Sequence, residues 1–274
     1  MHLDAHQHFW RYDPHAYPWI PPQSALVRDW LPRDLTALQQ PLGMNGSIAV
    51  QARQSLAESD WLLGLADADD RVKGVVGWVN LQAGHIEDDL ARLARHPKFV
   101  GVRHVVQDEP DDRFLLRSEF LRGVEALKDF GLTYDILIYP KQLPAALEFV
   151  RHFPEQPFVL DHIAKPLIRD GVLSPWDEQI RQLAAFPQVM CKLSGMVTEA
   201  DHQRWKPDDF RRYLDVVVDA FGPQRLMWGS DWPVCLLAAS YEQVYHLIDD
   251  FTAGWSADER NGLFGANCAR FYLS

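Results

Sequence analysis

Close to the N-terminus the chain reads Leu3-Asp4-Ala5-His6-Gln7-His8-Phe9. Side chains alternate along a β-strand, so histidines two apart share a face; on a helix the same pair would sit roughly 200° apart around the axis. As a strand, the stretch would aim the ring nitrogens of His6 and His8 at one point, with Asp4 behind them. Such a pair can hold one divalent ion. Two ordinary hydrogen-bonded histidines would satisfy the same spacing, so the pair gains meaning from what the chain brings near it.

The 274 residues carry a formal net charge of −11, with 47% hydrophobic and 24% charged residues. That composition belongs to a folded globular chain. The acidic balance would repel a polyanion and no Lys/Arg run offsets it, so nucleic acid is not an expected partner. Cys191, Cys235 and Cys268 are scattered, without CxxC spacing, and read as reduced thiols. No basic leader precedes an apolar run, and no stretch approaches the ~18 apolar residues of a membrane span. The expected place is the cytoplasm, with no membrane contact and with Met1 near the mature start. A homo-oligomer is compatible with the sequence.

The histidines need a scaffold. Strands are expected at 2–9, 46–52, 72–81, 99–106, 132–139, 157–164, 188–195 and 225–233, with helical periodicity after each. Helices are expected at 33–40, 56–68, 86–95, 120–130, 143–153, 176–185, 208–221, 241–251 and 258–264. Eight alternations without a glycine-rich dinucleotide turn predict one α/β domain over residues 1–274, a (β/α)8 TIM barrel, close to the ~250 residues typical of that fold. The aromatic, proline-rich stretch from Trp10 to Trp30 is expected to be a loop walling the barrel mouth.

Side chains at the C-terminal ends of barrel strands converge. His6 and His8 of the first strand would therefore meet polar residues from far along the chain. The second strand offers Gln51, the fourth Arg103, His104 and Gln107, the fifth Tyr134 and Asp135. The sixth presents Asp161 and His162, the seventh Lys192, the eighth Asp231.

Four stretches carry a resemblance: His6-Gln7-His8, Val102-Arg103-His104, Leu160-Asp161-His162-Ile163-Ala164-Lys165-Pro166 and Gly229-Ser230-Asp231-Trp232-Pro233. On these the chain resembles, nearly end to end, the lactonase branch of the amidohydrolase superfamily. The resemblance implies a barrel hydrolase acting on a small molecule, a sugar-acid lactone. It also implies a divalent metal, one zinc ion before others, although similar enzymes act with none. Binuclear members carry a bridging Lys or Glu on strand four and a histidine on strand five. Here those strands offer Arg103 or His104 and Asp135, so two metals are not expected. A metal-dependent decarboxylase, or a hydrolase of a pyrone or muconolactone ring, stays open as an alternative.

Opening a lactone needs a base for water and donors for the oxyanion. Asp231 fits the base and, with His6 and His8, the metal ligands; His162 and Arg103 fit the donors. Arg103 has another reading, a surface ion pair with Asp108 or Glu109. Substrate contacts are expected from Gln51, His104, Gln107, Tyr134, Lys192 and Trp232.

Overall fold

The computed structural model describes residues 1–274. Eight parallel strands pair in chain order: β1 (Leu3–Gln7), β2 (Gly46–Val50), β3 (Val72–Gly77), β4 (Phe99–Val105), β5 (Thr133–Leu137), β6 (Phe158–Leu160), β7 (Val189–Leu193) and β8 (Leu226–Trp228). Just beyond β8 and β1 the ring is completed by Asp231 N–H to the His6 carbonyl at 2.8 Å and His8 N–H to that of Trp232 at 2.7 Å. One helix follows each strand: α1 (Pro32–Gln39), α2 (Leu56–Ala68), α3 (Ile86–Leu93), α4 (Ser118–Ala126), α5 (Leu143–His152), α6 (Trp176–Ala184), α7 (Pro207–Phe221) and α8 (Tyr241–Phe251). The molecule is a (β/α)8 barrel. No helix is long and apolar enough to cross a membrane.

Each helix presents an apolar stripe to the barrel. In α3, Ile86, Leu90 and Leu93 are buried, while Glu87, Asp88 and Asp89 occupy the first turn, where negative charge suits the helix dipole. Strand residues facing the helices build the large outer core, and those facing the barrel axis a smaller one of Ala5, Ile48, Val50, Val76, Met190 and Met227 among others. The expected helix 258–264 stops early, as α9 (Ala257–Asn261), gives way to a wider turn over Gly262–Ala266, and is followed by a further helix beyond those expected, α10 (Asn267–Tyr272). A Cβ on Gly265 would stand 2.0 Å from the Met1 carbonyl oxygen, so the turn is where the chain's two ends meet. From α10, Cys268 and Tyr272 enter the axial core and plug the barrel at its lower end.

Two strands end earlier than their sequence suggests: β6 stops at Leu160 and β8 at Trp228. In both cases the backbone leaves extended geometry where the polar residues begin, with positive φ at His162 and Asp231. In β1, Leu3 and Ala5 belong to the axial core, yet His6 and His8 also meet at the mouth. The change of phase is absorbed by a register irregularity between Asp4 and Gln7. The stretch after β1 packs as its own flap: Trp10 pairs with Trp30, and Trp10, Tyr17, Ile20 and Leu26 form a small apolar cluster.

Candidate active site

A cavity of about 660 Å³ opens over the C-terminal strand ends, and His8, Arg103, His162 and Asp231 line it. His8 Nδ1 lies 2.8 Å from the Val50 carbonyl oxygen. A carbonyl only accepts, so Nδ1 carries the proton and Nε2 keeps a lone pair. The same holds for His6. Its Nε2 faces Arg103 Nη1, which can only donate, at 3.2 Å, and its Nδ1 lies between Asp161 Oδ1 at 3.2 Å and Lys192 Nζ at 3.3 Å, so the one ring proton belongs on Nδ1, directed at the carboxylate. The two Nε2 atoms are 3.2 Å apart, and Asp231 Oδ1 lies 3.3 Å from that of His8 and 3.9 Å from that of His6. Three electron-pair donors without a proton between them, backed by a carboxylate and a carbonyl on the far ring nitrogens, suit a divalent cation.

A second set, His6, Asp161 and His162, also clusters closely. It does not suit a metal. Asp161 is already neutralised by Arg103 Nη1 and Lys192 Nζ, each at 3.0 Å, and two fixed cations beside it would repel a third. One ion at His6, His8 and Asp231 is what the donor set accommodates.

Electrostatics keep the donors ready. Burial pushes the Asp231 carboxyl up, but the pull of His162, His8 and His6 outweighs it and holds the group well below the usual carboxylate range. Burial lowers His162 to about 4 against the attraction of Asp231 and Asp161, and drives His6 well below its ordinary value. Below the cluster runs a buried chain of ion pairs: Lys192 bridges Asp161 and Asp135, and the Tyr272 hydroxyl reaches Asp135 at 2.8 Å.

His162, Ile163, Ala164 and Lys165 have φ of 54°, 48°, 59° and 49°, a left-handed turn built without glycine. Each such residue costs roughly 1–2 kcal/mol, and a β-branched one is a true outlier. Surrounding contacts hold it. Trp176 Nε1 donates to the Ile163 carbonyl at 2.8 Å, and His162 Nδ1 meets Ser194 Oγ at 2.8 Å. Gly195 leaves room for the imidazole, since a Cβ there would stand 2.4 Å from His162 Nδ1. Strain retained in this way concentrates at functional sites.

Of the residues expected at the mouth, His6, His8, Arg103, His162 and Asp231 converge, and Gln107 lines the cavity wall. Arg103 pairs with Asp161, not with Asp108 or Glu109. Five expected substrate contacts lie elsewhere. His104 stacks on Phe114 and pairs with Glu109 at 2.7 Å, and Tyr134 packs against Phe120 and Phe149 in the outer core. Their strand neighbours Arg103 and Asp135 take the axial side, and alternation sends them outward. Trp232 is buried against Trp30 and Phe9. Lys192 is fully buried beneath the cluster, and Gln51, also buried, serves through its carbonyl, which accepts from Arg103 Nη2.

The sequence assigns no role to His15, Arg53, Gln54 or to Lys165, which it names only within the sixth-strand motif, and all four line the cavity. Their signal was positional: Arg53 and Gln54 stand just past β2, where barrel loops build sites. Glu58 fixes that wall. It accepts from Ala52 N at 3.0 Å, Arg53 N at 2.9 Å and the Tyr17 hydroxyl at 2.9 Å, tying the flap to the loop after β2.

Comparison with known proteins agrees with this architecture. The amidohydrolase family model (Amidohydro_2) matches residues 3–273. An L-fucono-1,5-lactonase of Burkholderia multivorans is 44% identical, covering 99% of this chain and 96% of its own. One of Burkholderia ambifaria is 38% identical, covering 98% and 94%. The crystal structure of a zinc-bound amidohydrolase from Burkholderia multivorans is similar with a TM-score of 0.96 and 43% identity over 99% of both chains. With a family match across nearly its whole length and the barrel that carries it, the chain belongs to the amidohydrolase family.

Proposed function

We propose that the protein is a lactonase that opens a sugar-acid lactone, L-fucono-1,5-lactone or a close stereochemical relative, to the free acid. The observation that carries this reading is the meeting of His6 Nε2, His8 Nε2 and Asp231 Oδ1 at the base of a polar cavity. The names of the two lactonase relatives supply the substrate class.

His6, His8 and Asp231 would hold a divalent ion, zinc as in the related solved structure, which when bound polarises a carbonyl and acidifies water. The chain's own groups do the rest. Asp231, whose carboxyl stays below the usual carboxylate range and is therefore ionised, accepts the proton of the attacking water. With Ser194 Oγ–H donating to Nδ1, His162 has Nε2–H free to bond the oxyanion, alongside Arg103. The ester C–O bond then breaks, its electron pair goes to the ring oxygen, and Asp231 returns the proton there. Gln107, Gln54 and His15 offer donors and acceptors to a polyol ring. A dianionic pyrone would need two cations with no carboxylate beside them, whereas Arg103 stands against Asp161 and Lys165 against Glu199, so their charges are offset even where N–H bonds remain for a neutral lactone.

The test is a weakly buffered pH-indicator assay with L-fucono-1,5-lactone. One proton released per lactone opened, lost on chelation and restored by zinc, is the expected result. Carbon dioxide release from an aromatic acid, with no proton release from any aldonolactone, would favour the decarboxylase and overturn the reading.

A further inference from the structure

Lys165 has no part in the chemistry above, yet the costliest stretch of backbone in the molecule ends on it. The left-handed turn closes with Lys165 N–H donating to the His162 carbonyl at 2.8 Å. Three residues make about one turn of such a helix, so positions 162 and 165 point the same way. Both line the cavity. An extended continuation of β6 would put them on opposite faces. The ammonium is held, not loose: Nζ lies 3.5 Å from Glu199 Oε1 and 5.5 Å above the Tyr139 ring, and the Lys165 and Glu199 side chains are only 15% and 19% exposed. A pair this sheltered, at the end of a strained turn, is more than a surface ion pair.

Building on the lactonase reading, we propose that Lys165 is a catalytic residue that holds the ring oxygen of the substrate as it leaves. When the ester C–O bond breaks, the electron pair settles on that oxygen; the Lys165 ammonium bonds and neutralises it while the proton arrives from Asp231. Lys165 keeps its own protons, so the balance of the hydrolysis is unchanged. Glu199 fixes the ammonium without quenching it, because the longer contact leaves other N–H bonds free.

The experiment compares wild type and Lys165→Met on two lactones, L-fucono-1,5-lactone, which expels an alkoxide, and dihydrocoumarin, which expels a phenoxide that needs little help. For the sugar lactone, kcat is expected to fall about 10²–10³-fold with KM kept within about threefold. Dihydrocoumarin turnover should fall far less, and Lys165→Arg should recover part of the sugar-lactone rate. Equal losses on both lactones, an unchanged kcat, or a loss confined to KM would overturn the assignment. If the wild type opens only the sugar lactone, the kcat and KM split decides alone. Lys165→Gln, which can still bond Glu199, is read in the same way if the methionine variant does not fold. A wild type that opens neither lactone overturns the lactonase reading itself, and this assignment with it.

Discussion

Asp161 Oδ1 stands 3.2 Å from His6 Nδ1, on the side of the imidazole away from Asp231. Its two oxygens serve different partners, Oδ1 the His6 ring and Lys192, Oδ2 the Arg103 guanidinium. An asparagine keeps the shape but has one acceptor atom, and its amide would face either Arg103 or the His6 and Lys192 donors. Asp161→Asn should therefore weaken zinc binding about 10–100-fold, although no ligand is removed. Competition against a chromophoric chelator measures it. Unaltered affinity would show that His6 is oriented by something else.

Asp231→Asn tests the base. The amide keeps size and can donate an N–H to the His8 Nε2 lone pair, but cannot take a proton from water. A fall in kcat of about 10²–10⁴-fold with little change in KM is expected from steady-state rates. A variant as active as wild type would remove Asp231 from that role.

The order and number of strands were legible because apolar runs and helical stripes alternate eight times, and the convergence of His6, His8 and Asp231 followed from barrel geometry alone. The facing of individual residues was less legible. Arg103 and His104, like Tyr134 and Asp135, were all placed at the mouth, but neighbours on a strand cannot share a face. Lys192 and Asp135 were missed as a structural pair because burial of a lysine at 0% exposure leaves no mark in sequence; only the carboxylates around it make it tolerable. Lys165 stands in the sixth-strand motif, but its place at the cavity is not legible there because a left-handed turn through Ile163 runs against local preference and is imposed by tertiary contacts.

Gly195 offers a way to disturb His162 without touching it. A Cβ there would meet His162 Nδ1 at 2.4 Å, at a φ of +62°. Gly43, at φ +68° with nothing within 4 Å, controls for backbone strain alone. Gly43→Ala should cost about 1–2 kcal/mol in urea unfolding and leave turnover unchanged. Gly195→Ala should cost more and also lower kcat by displacing the imidazole. Equal behaviour of the two variants in both measurements would mean that His162 can shift freely.

Glu58 ties the flap to the cavity wall through a carboxyl that burial pushes up to about 7, against the opposing pull of the Arg53 N–H, the Tyr17 hydroxyl and the Ala52 N–H. A raised value means that the folded chain holds this proton more tightly than the unfolded chain, whose carboxyl sits near 4.5. The associated stability is fully present below pH 4.5 and is lost as pH rises through about 7, a change of roughly 3 kcal/mol. Other buried groups titrate in the same range, Asp4 near 6 and His162 near 4, so a single pH profile would mix them. The difference between wild type and Glu58→Gln cancels what both share. Measured by urea unfolding at pH 5 and pH 8, wild type should lose ground to the glutamine variant as pH rises, because ionised Glu58 then stands buried with only a weak pull from the Arg53 charge to offset it. A gap that stays constant, or widens in favour of wild type, would mean that its three hydrogen bonds outweigh burial and that the strut is ionised in the acid range like an ordinary glutamate.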